Sequence, residues 1–190
     1  LFTENTVTAV LPVMHNPTLG NVGLLMRLWS VVLAGNLIGT AVAAWAFNYM
    51  PIFDEPTRQA FVSIAEDVMK NSPTEMFANA IISGWLVATM VWMFPVAGAA
   101  KIVVIILMTW LIALADTTHI VVGSVEILYL VFNGNLPWSD FIWPFALPTL
   151  AGNICGGTFI FALLSHAQIR NDMSSKRKAE ARAQAAEKGK

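Results

Sequence analysis

Residues 28–50, 76–100 and 141–168 contain no Asp, Glu, Lys or Arg. The hydrocarbon core of a bilayer is about 30 Å thick and a helix rises about 1.5 Å per residue, so about 20 apolar residues in a helix cross it. A helix is also a conformation in which the backbone satisfies its own hydrogen bonds away from water. Each of the three stretches is therefore predicted to be a full membrane span. Composition points the same way: 56% of the residues are hydrophobic, 12% are charged and mean hydropathy is +0.63. That is more apolar surface than a soluble domain of 190 residues could bury.

Two other apolar regions do not fit a single span. Residues 102–132 are interrupted by Asp116-Thr117-Thr118-His119 and then resume at Ile120, which predicts two half-helices meeting inside the membrane. Residues 1–14 are too short to span and open with Thr3, Glu4, Asn5 and Thr6, which predicts the second half of another broken helix. The chain begins at Leu1, with neither a basic n-region nor a cleavage-site pattern, and is read as N-terminally truncated.

Charge gives the orientation. Seven of the 11 Lys and Arg residues lie between Arg170 and Lys190, and placing that tail in the cytoplasm also puts Arg27 and Lys101 there after four crossings. The reading is thus a channel domain over residues 1–168 and a charged cytoplasmic tail over 169–190. The tail is expected to be a solvated, partly helical extension, with no nucleic-acid partner. In the outward loop 51–73, Ala60, Phe61, Ile64, Val68 and Met69 follow helical spacing against Arg58, Glu66, Asp67 and Lys70, which predicts an interfacial amphipathic helix. Trp45, Trp138 and Trp143 fall near the outer boundary, and Trp29 and Trp92 near the inner one. Cys155, the single cysteine, lies in an apolar run and reads as a buried thiol.

An internal repeat links the halves. Leu33-Ala34-Gly35-Asn36 recurs as Leu150-Ala151-Gly152-Asn153, each copy followed by a further glycine, Gly39 or Gly156. Each copy lies in a full span and follows a broken-helix candidate by a similar distance. By the charge-based topology the copies run in opposite directions, so the repeats are inverted, an arrangement in which discontinuous helices meet around a midplane site. The glycine pairs also form small-xxx-small patterns of the kind that pack helices closely.

These residues resemble the formate/nitrite transporter family. Leu1-Phe2-Thr3 is similar to that family's central loop, Gly152-Asn153-Ile154-Cys155-Gly156-Gly157 to its last helix, and Gly84-Trp85-Leu86-Val87 to its fourth. The resemblance covers residues 1–168 and suits a divergent bacterial branch of the family. It implies an all-α membrane protein, an aquaporin-like inverted-repeat helical bundle with broken second and fifth transmembrane helices. The first segment and half of the second would then precede Leu1. It further implies a multi-pass homo-pentamer in the bacterial inner membrane, with the C-terminus cytoplasmic and in each subunit a pore for small monovalent anions.

Carried over by motif, His119 takes the place of the pore histidine, Thr3 that of the loop threonine beside it, and Asn153 that of a supporting asparagine. Phe2 and Ile112 take the places of apolar constrictions. The family's fifth-helix pattern Phe-Glu-His-Ser-Ile-Ala-Asn stands here as Thr117-Thr118-His119-Ile120-Val121-Val122-Gly123 after Asp116, so its glutamate and asparagine are replaced. Gly84 replaces another asparagine, and Glu4, Asp116 and Glu126 add carboxylates.

The chemistry of such a site rests on desolvation. A histidine in the apolar layer rests neutral, and an entering weak-acid anion favours its protonation. Proton transfer to the anion would leave a neutral solute able to pass an apolar constriction that excludes hydrated ions. Asp116 either caps the second half-helix, relays protons or touches solute, and Thr117 and Thr118 either bond the freed backbone at the break or line the pore. Thr3 and Asn153 also read as a buried polar pair holding the broken helices together.

No cofactor or metal is expected, since no His-Glu-x-x-His, phosphate-loop or paired-cysteine motif is present. Nor is there a nucleophile motif to support an intramembrane enzyme built on His119, Asp116 and Thr118. A neutral-solute channel is the nearer alternative, because Gly84, Gly123 and the added carboxylates make a pore less hospitable to anions. A purely structural membrane subunit would need neither the break nor the repeat.

Overall fold

The computed structural model describes residues 2–162, and every regular element among them is helical. The tail expected at 169–190 and the end of the last predicted span, from residue 163, lie outside the described residues. The chain opens with two short helices, α1 (Phe2–Thr8) and α2 (Leu11–His15), rather than one half-helix over residues 1–14. Helix α3 (Leu19–Tyr49) starts where the Thr18 hydroxyl accepts the Asn21 amide at 3.2 Å, and stops before Pro51, which cannot continue it. It therefore begins nine residues before the apolar stretch and carries Arg27 within it.

The loop over residues 51–73 folds as expected into a helix, α4 (Glu55–Met69), capped by Asp54. Its buried stripe is rotated from the predicted one. Ala65 and Val68 are buried with Phe61, Val62 and Met69 packed alongside, whereas Ala60 and Ile64 are exposed. The reason is tertiary: α4 packs against α7. Arg58 fastens it to the end of α3, donating to the carbonyls of Asn48, Met50 and Phe53 at 2.9–3.3 Å.

Helix α5 (Pro73–Ala97) starts with a reciprocal capping box between Ser72 and Glu75. It ends at Gly98, whose φ of +49° suits a residue without Cβ, and a 3-10 turn over Gly98–Ala100 leads into α6 (Lys101–Leu114). The predicted interruption follows. Helix α6 closes with the Thr117 amide and hydroxyl both donating to the Ile112 carbonyl, and α7 (Ile120–Phe132) begins three residues later. The halves differ sharply in environment, since α6 has no buried residue whereas most of α7 is buried.

After the Gly134 turn come α8 (Trp138–Asp140) and a wide π-type stretch, Phe141–Ala146, that breaks at Trp143 (φ −138°, ψ 124°). The span predicted from residue 141 is thus interrupted near its start. Pro144 supplies the cause, since it removes an amide donor and pushes the preceding residue into extended backbone. Helix α9 (Leu147–Ile154) then runs into a second π-type stretch, Cys155–Ala162.

Glycines set the closest approach in the bundle. A Cβ at Gly152 would meet the Phe77 carbonyl and Ala80, one at Gly156 the Ile81 carbonyl, and one at Gly84 would lie 2.5 Å from the Asn153 carbonyl oxygen. Helices α5 and α9 therefore touch backbone to backbone, as the second small-xxx-small pair predicts. The first pair behaves otherwise: a Cβ at Gly35 or Gly39 meets nothing within 4 Å among the described residues.

Candidate functional site

The interruption between α6 and α7 leaves helix ends inside an apolar bundle, where each free amide needs a partner. Asn153, fully buried on α9, meets that need at α7. Its Oδ1 accepts the Ile120 amide at 2.9 Å, while its Nδ2 donates to the Ala80 carbonyl at 2.8 Å and the Ser83 hydroxyl at 3.0 Å. One side chain thus joins α5, α7 and α9. Asn36 on α3 makes the counterpart contact at the chain's start, accepting the Phe2 amide at 3.3 Å while Nδ2 donates to its own helix at Val32. The spacings match closely, 34 residues for Phe2 to Asn36 and 33 for Ile120 to Asn153.

His119 is the N-cap of α7 and is 3% exposed. Its Nδ1 accepts the Val122 amide at 3.4 Å and its Nε2 lies 2.8 Å from the Thr3 hydroxyl. With Nδ1 accepting, the neutral ring carries its proton on Nε2 and donates it to Thr3. Thr3 is fully buried, and its carbonyl accepts the Thr6 hydroxyl at 2.7 Å. The Thr6 carbonyl in turn accepts the Thr158 hydroxyl at 2.9 Å, which ties α1 to the segment after α9.

Asp116 is not the cap of α7, as one sequence expectation had it. It follows the last turn of α6 with φ +48°, the left-handed conformation that often terminates a helix and that Asp tolerates better than most residues. That turn directs the chain into the extended His119, so the imidazole takes the capping role. Thr118, buried, bonds backbone: its hydroxyl donates to the Met76 carbonyl at 2.8 Å, and its carbonyl accepts the Ser83 hydroxyl.

A cavity of about 270 Å³ opens beside the break, with His119 in its wall. Ile112, Asp116, Thr117 and Thr118 line it, together with Glu126 from the next turns of α7. Phe2, Thr3 and Asn153 do not. Phe2 is 1% exposed and packs edge-on against Trp29, their ring centroids 6.1 Å apart. Trp29 also donates its indole N–H to the Asn5 carbonyl at 3.2 Å, so it fastens α1 to α3. Of the five residues expected at the pore, His119 and Ile112 thus face an opening, while Thr3 and Asn153 stand behind as supports.

Asn36 and Ser83 were missed as site residues. The repeat that pairs Asn36 with Asn153 carried the signal for the first. For Ser83 the only hint was a small polar residue beside Gly84 in an apolar run.

A helical membrane protein with an interrupted helix, a buried histidine at the break and an adjoining cavity has the architecture of channels and transporters. The chain belongs to the formate/nitrite transporter family, whose description matches residues 1–167. It is 84% identical over 185 residues to the inner membrane protein YfdC of Escherichia coli strain K12, a match covering 97% of this chain and 60% of that protein. The chain thus spans about 60% of the length of this curated relative. No solved structure matches it.

Proposed function

We propose that this chain forms the larger part of a channel or transporter for small monovalent weak-acid anions such as formate or nitrite, with passage assisted by His119. The observation that carries the reading is the buried 2.8 Å contact between Thr3 and His119, made beside the cavity where α6 and α7 part. An imidazole that already donates from Nε2 can rotate that proton between Thr3 and a solute. Protonated from the aqueous side, it can pass that proton to a weak-acid anion and return to the neutral ring, while the solute crosses the apolar part of the route as a neutral acid.

Several further features belong to this reading. The paired amide contacts of Asn36 and Asn153 support an inverted repeat in which each half starts a broken helix under an asparagine. The name of the relative supports placement in the bacterial inner membrane. The basic residues from Arg170 onward support a cytoplasmic C-terminus. Family likeness supports a homo-pentamer with one pore per subunit. A second reading, a channel for neutral small solutes, is favoured by the two carboxylates in the cavity wall.

The test is solute flux into proteoliposomes holding the full-length protein, comparing formate, nitrite, acetate and lactate with glycerol and water across about pH 5–8, where histidine titrates. Anion flux that rises as pH falls, and that His119→Phe abolishes without loss of assembly, is the expected result. Flux of glycerol or water alone would replace the anion reading by the neutral-solute one. Unchanged flux and pH dependence in the variant would end the role given to His119.

A further inference from the structure

Two openings meet along the seam between α4 and α7. The first is polar, about 220 Å³, and is lined by Glu55, Arg58, Gln59 and Val62 from α4, with Tyr129 of α7 and its C-cap Asn133. The second is apolar, about 440 Å³, walled by Phe47, Phe61, Ile64, Val121 and Val125, and Tyr129 lines it too. Glu126 is the one carboxylate in its wall. A cavity of about 150 Å³ already holds a benzene-sized guest, so the apolar opening has room for a length of hydrocarbon chain. Opposite charges face the polar opening without meeting. Arg58 gives three of its N–H groups to the carbonyls of Asn48, Met50 and Phe53, which leaves donors over and its charge unneutralised. Glu55 accepts the Gln59 amide on one oxygen at 3.3 Å, and among the described residues no ion pair joins it to Arg58. This is also the end of the bundle where helices stop: Tyr49, the last residue of α3, donates its hydroxyl to the carbonyl of Phe132, the last of α7, at 2.9 Å. Trp45 packs on Tyr49 and Trp138 on Phe132, and both indoles are about half-exposed, as at a boundary where hydrocarbon gives way to headgroups.

We infer that this seam is a phospholipid site, selective for a headgroup that carries both a phosphate and a primary ammonium, with one acyl chain in the apolar opening. A guanidinium pairs with phosphate oxygens through parallel N–H bonds, and a carboxylate accepts N–H bonds from an ammonium. Glu55 and Arg58 stand three positions apart at the start of α4, on one face of the helix, so the two poles of one zwitterion can meet both side chains at once. An anionic headgroup without the amine satisfies Arg58 but sets its net charge beside Glu55. A quaternary ammonium keeps the positive charge but has no N–H to donate. Tyr129, shared by the two openings, lies where the polar head joins the chain, and its ring suits such a junction with one apolar and one polar end. The site is independent of which solute the pore passes.

The experiment uses the full-length protein in phosphatidylcholine nanodiscs that carry a trace of a probe phospholipid. The probe has a photoactivatable diazirine near the end of one acyl chain and an ethanolamine, choline or glycerol headgroup, and its cross-links are mapped by mass spectrometry of peptides. The ethanolamine probe should label residues 61–64 and 121–129 at least about fivefold more than either other probe, the ratio that one charge contact at a membrane surface gives. Glu55→Gln, which keeps an acceptor for Gln59 and removes the charge, should erase that preference. Val125→Phe, which fills the apolar opening, should lower labelling there several-fold for every probe. Equal labelling by the three probes, or a preference that survives Glu55→Gln, overturns the headgroup site. Absence of concentrated label at the seam, as when another segment or a second copy of the chain covers it, overturns the lipid site altogether. Thermal unfolding in detergent checks that each variant is folded, and Glu55→Gln, at an exposed position, decides the case if Val125→Phe fails to fold.

Discussion

Replacing Asn153 with Ala should destabilise the bundle more than the same change at Asn36, although the two residues occupy matching places in the repeat. At Asn153 the substitution removes the acceptor of the Ile120 amide at 2.9 Å and the donor to Ala80 and Ser83. The Ala80 carbonyl keeps the Ser83 hydroxyl within reach at 3.1 Å, in a bond shared with the Thr118 carbonyl. The group stranded is the first amide of α7, on a residue only 1% exposed. A buried donor left unpaired costs about 1–3 kcal/mol, and the two lost interhelical bonds add about 0.6 kcal/mol each, the average within membrane bundles. The expected loss is about 2–4 kcal/mol, a fall in midpoint of roughly 5–15 °C at about 2–4 °C per kcal/mol for chains of this size. At Asn36 the bond to Phe2 is longer, 3.3 Å, and the site is only half-buried, so the loss should stay near 1 kcal/mol. Thermal unfolding of the purified full-length protein in detergent, read by loss of the assembled peak on size exclusion, measures both. If Asn153→Ala melts within about 2 °C of native, or no lower than Asn36→Ala, the Ile120 amide is not being held as argued.

Gly156→Ala should cost about 1–3 kcal/mol, because its Cβ would press on the Ile81 backbone, whereas Gly35→Ala should be neutral or stabilising by up to about 1 kcal/mol, since nothing lies within 4 Å and Ala favours a helix; the same melting assay compares them. The start of α4 should loosen in acid. The Thr57 hydroxyl and amide hold the exposed Asp54 carboxyl below its ordinary value of 3.8, so its contribution is present above that pH and is lost as pH falls through the lower folded value. Hydrogen exchange in Glu55–Met69 at pH 6 and pH 3 should show the first turn losing protection at the lower pH, and Asp54→Asn should remove that difference.

What the sequence made legible follows from period and charge. Uncharged apolar length marked α3 and α5, the polar run at 116–119 marked the break, and mixed spacing at 55–69 marked α4. The motif also placed Thr3 and His119 together, although 116 residues separate them in the chain. Contacts that depend on a partner's position were not legible. Periodicity shows that α4 has an apolar face but not that Ala65 and Val68 will be its buried residues while Ile64 stays exposed at the cavity. An Asp just before a half-helix reads as a cap, and only the left-handed turn at Asp116 reveals that His119 takes that role. The break at Trp143 had a visible cause in Pro144, but proline within an apolar run is common enough in membrane spans to pass as a tolerated kink.

The same geometry bears on how firmly the site could hold an anion. Free amides at a helix N-terminus are a ready anion receptor, and α7 begins in the wall of the cavity. Two of those amides are already committed, Ile120 to Asn153 and Val122 to His119, and the imidazole Nε2 faces Thr3. An entering anion must therefore compete for donors that have partners, with Asp116 and Glu126 opposing it from the same wall. Such a site binds weakly. Under the proposed function that weakness is useful, because conduction requires a solute to leave as readily as it enters. Opening the Thr3–His119 contact would free one donor at the moment of passage and recover it afterwards, so the bond that steadies the resting fold is also the one that passage must break.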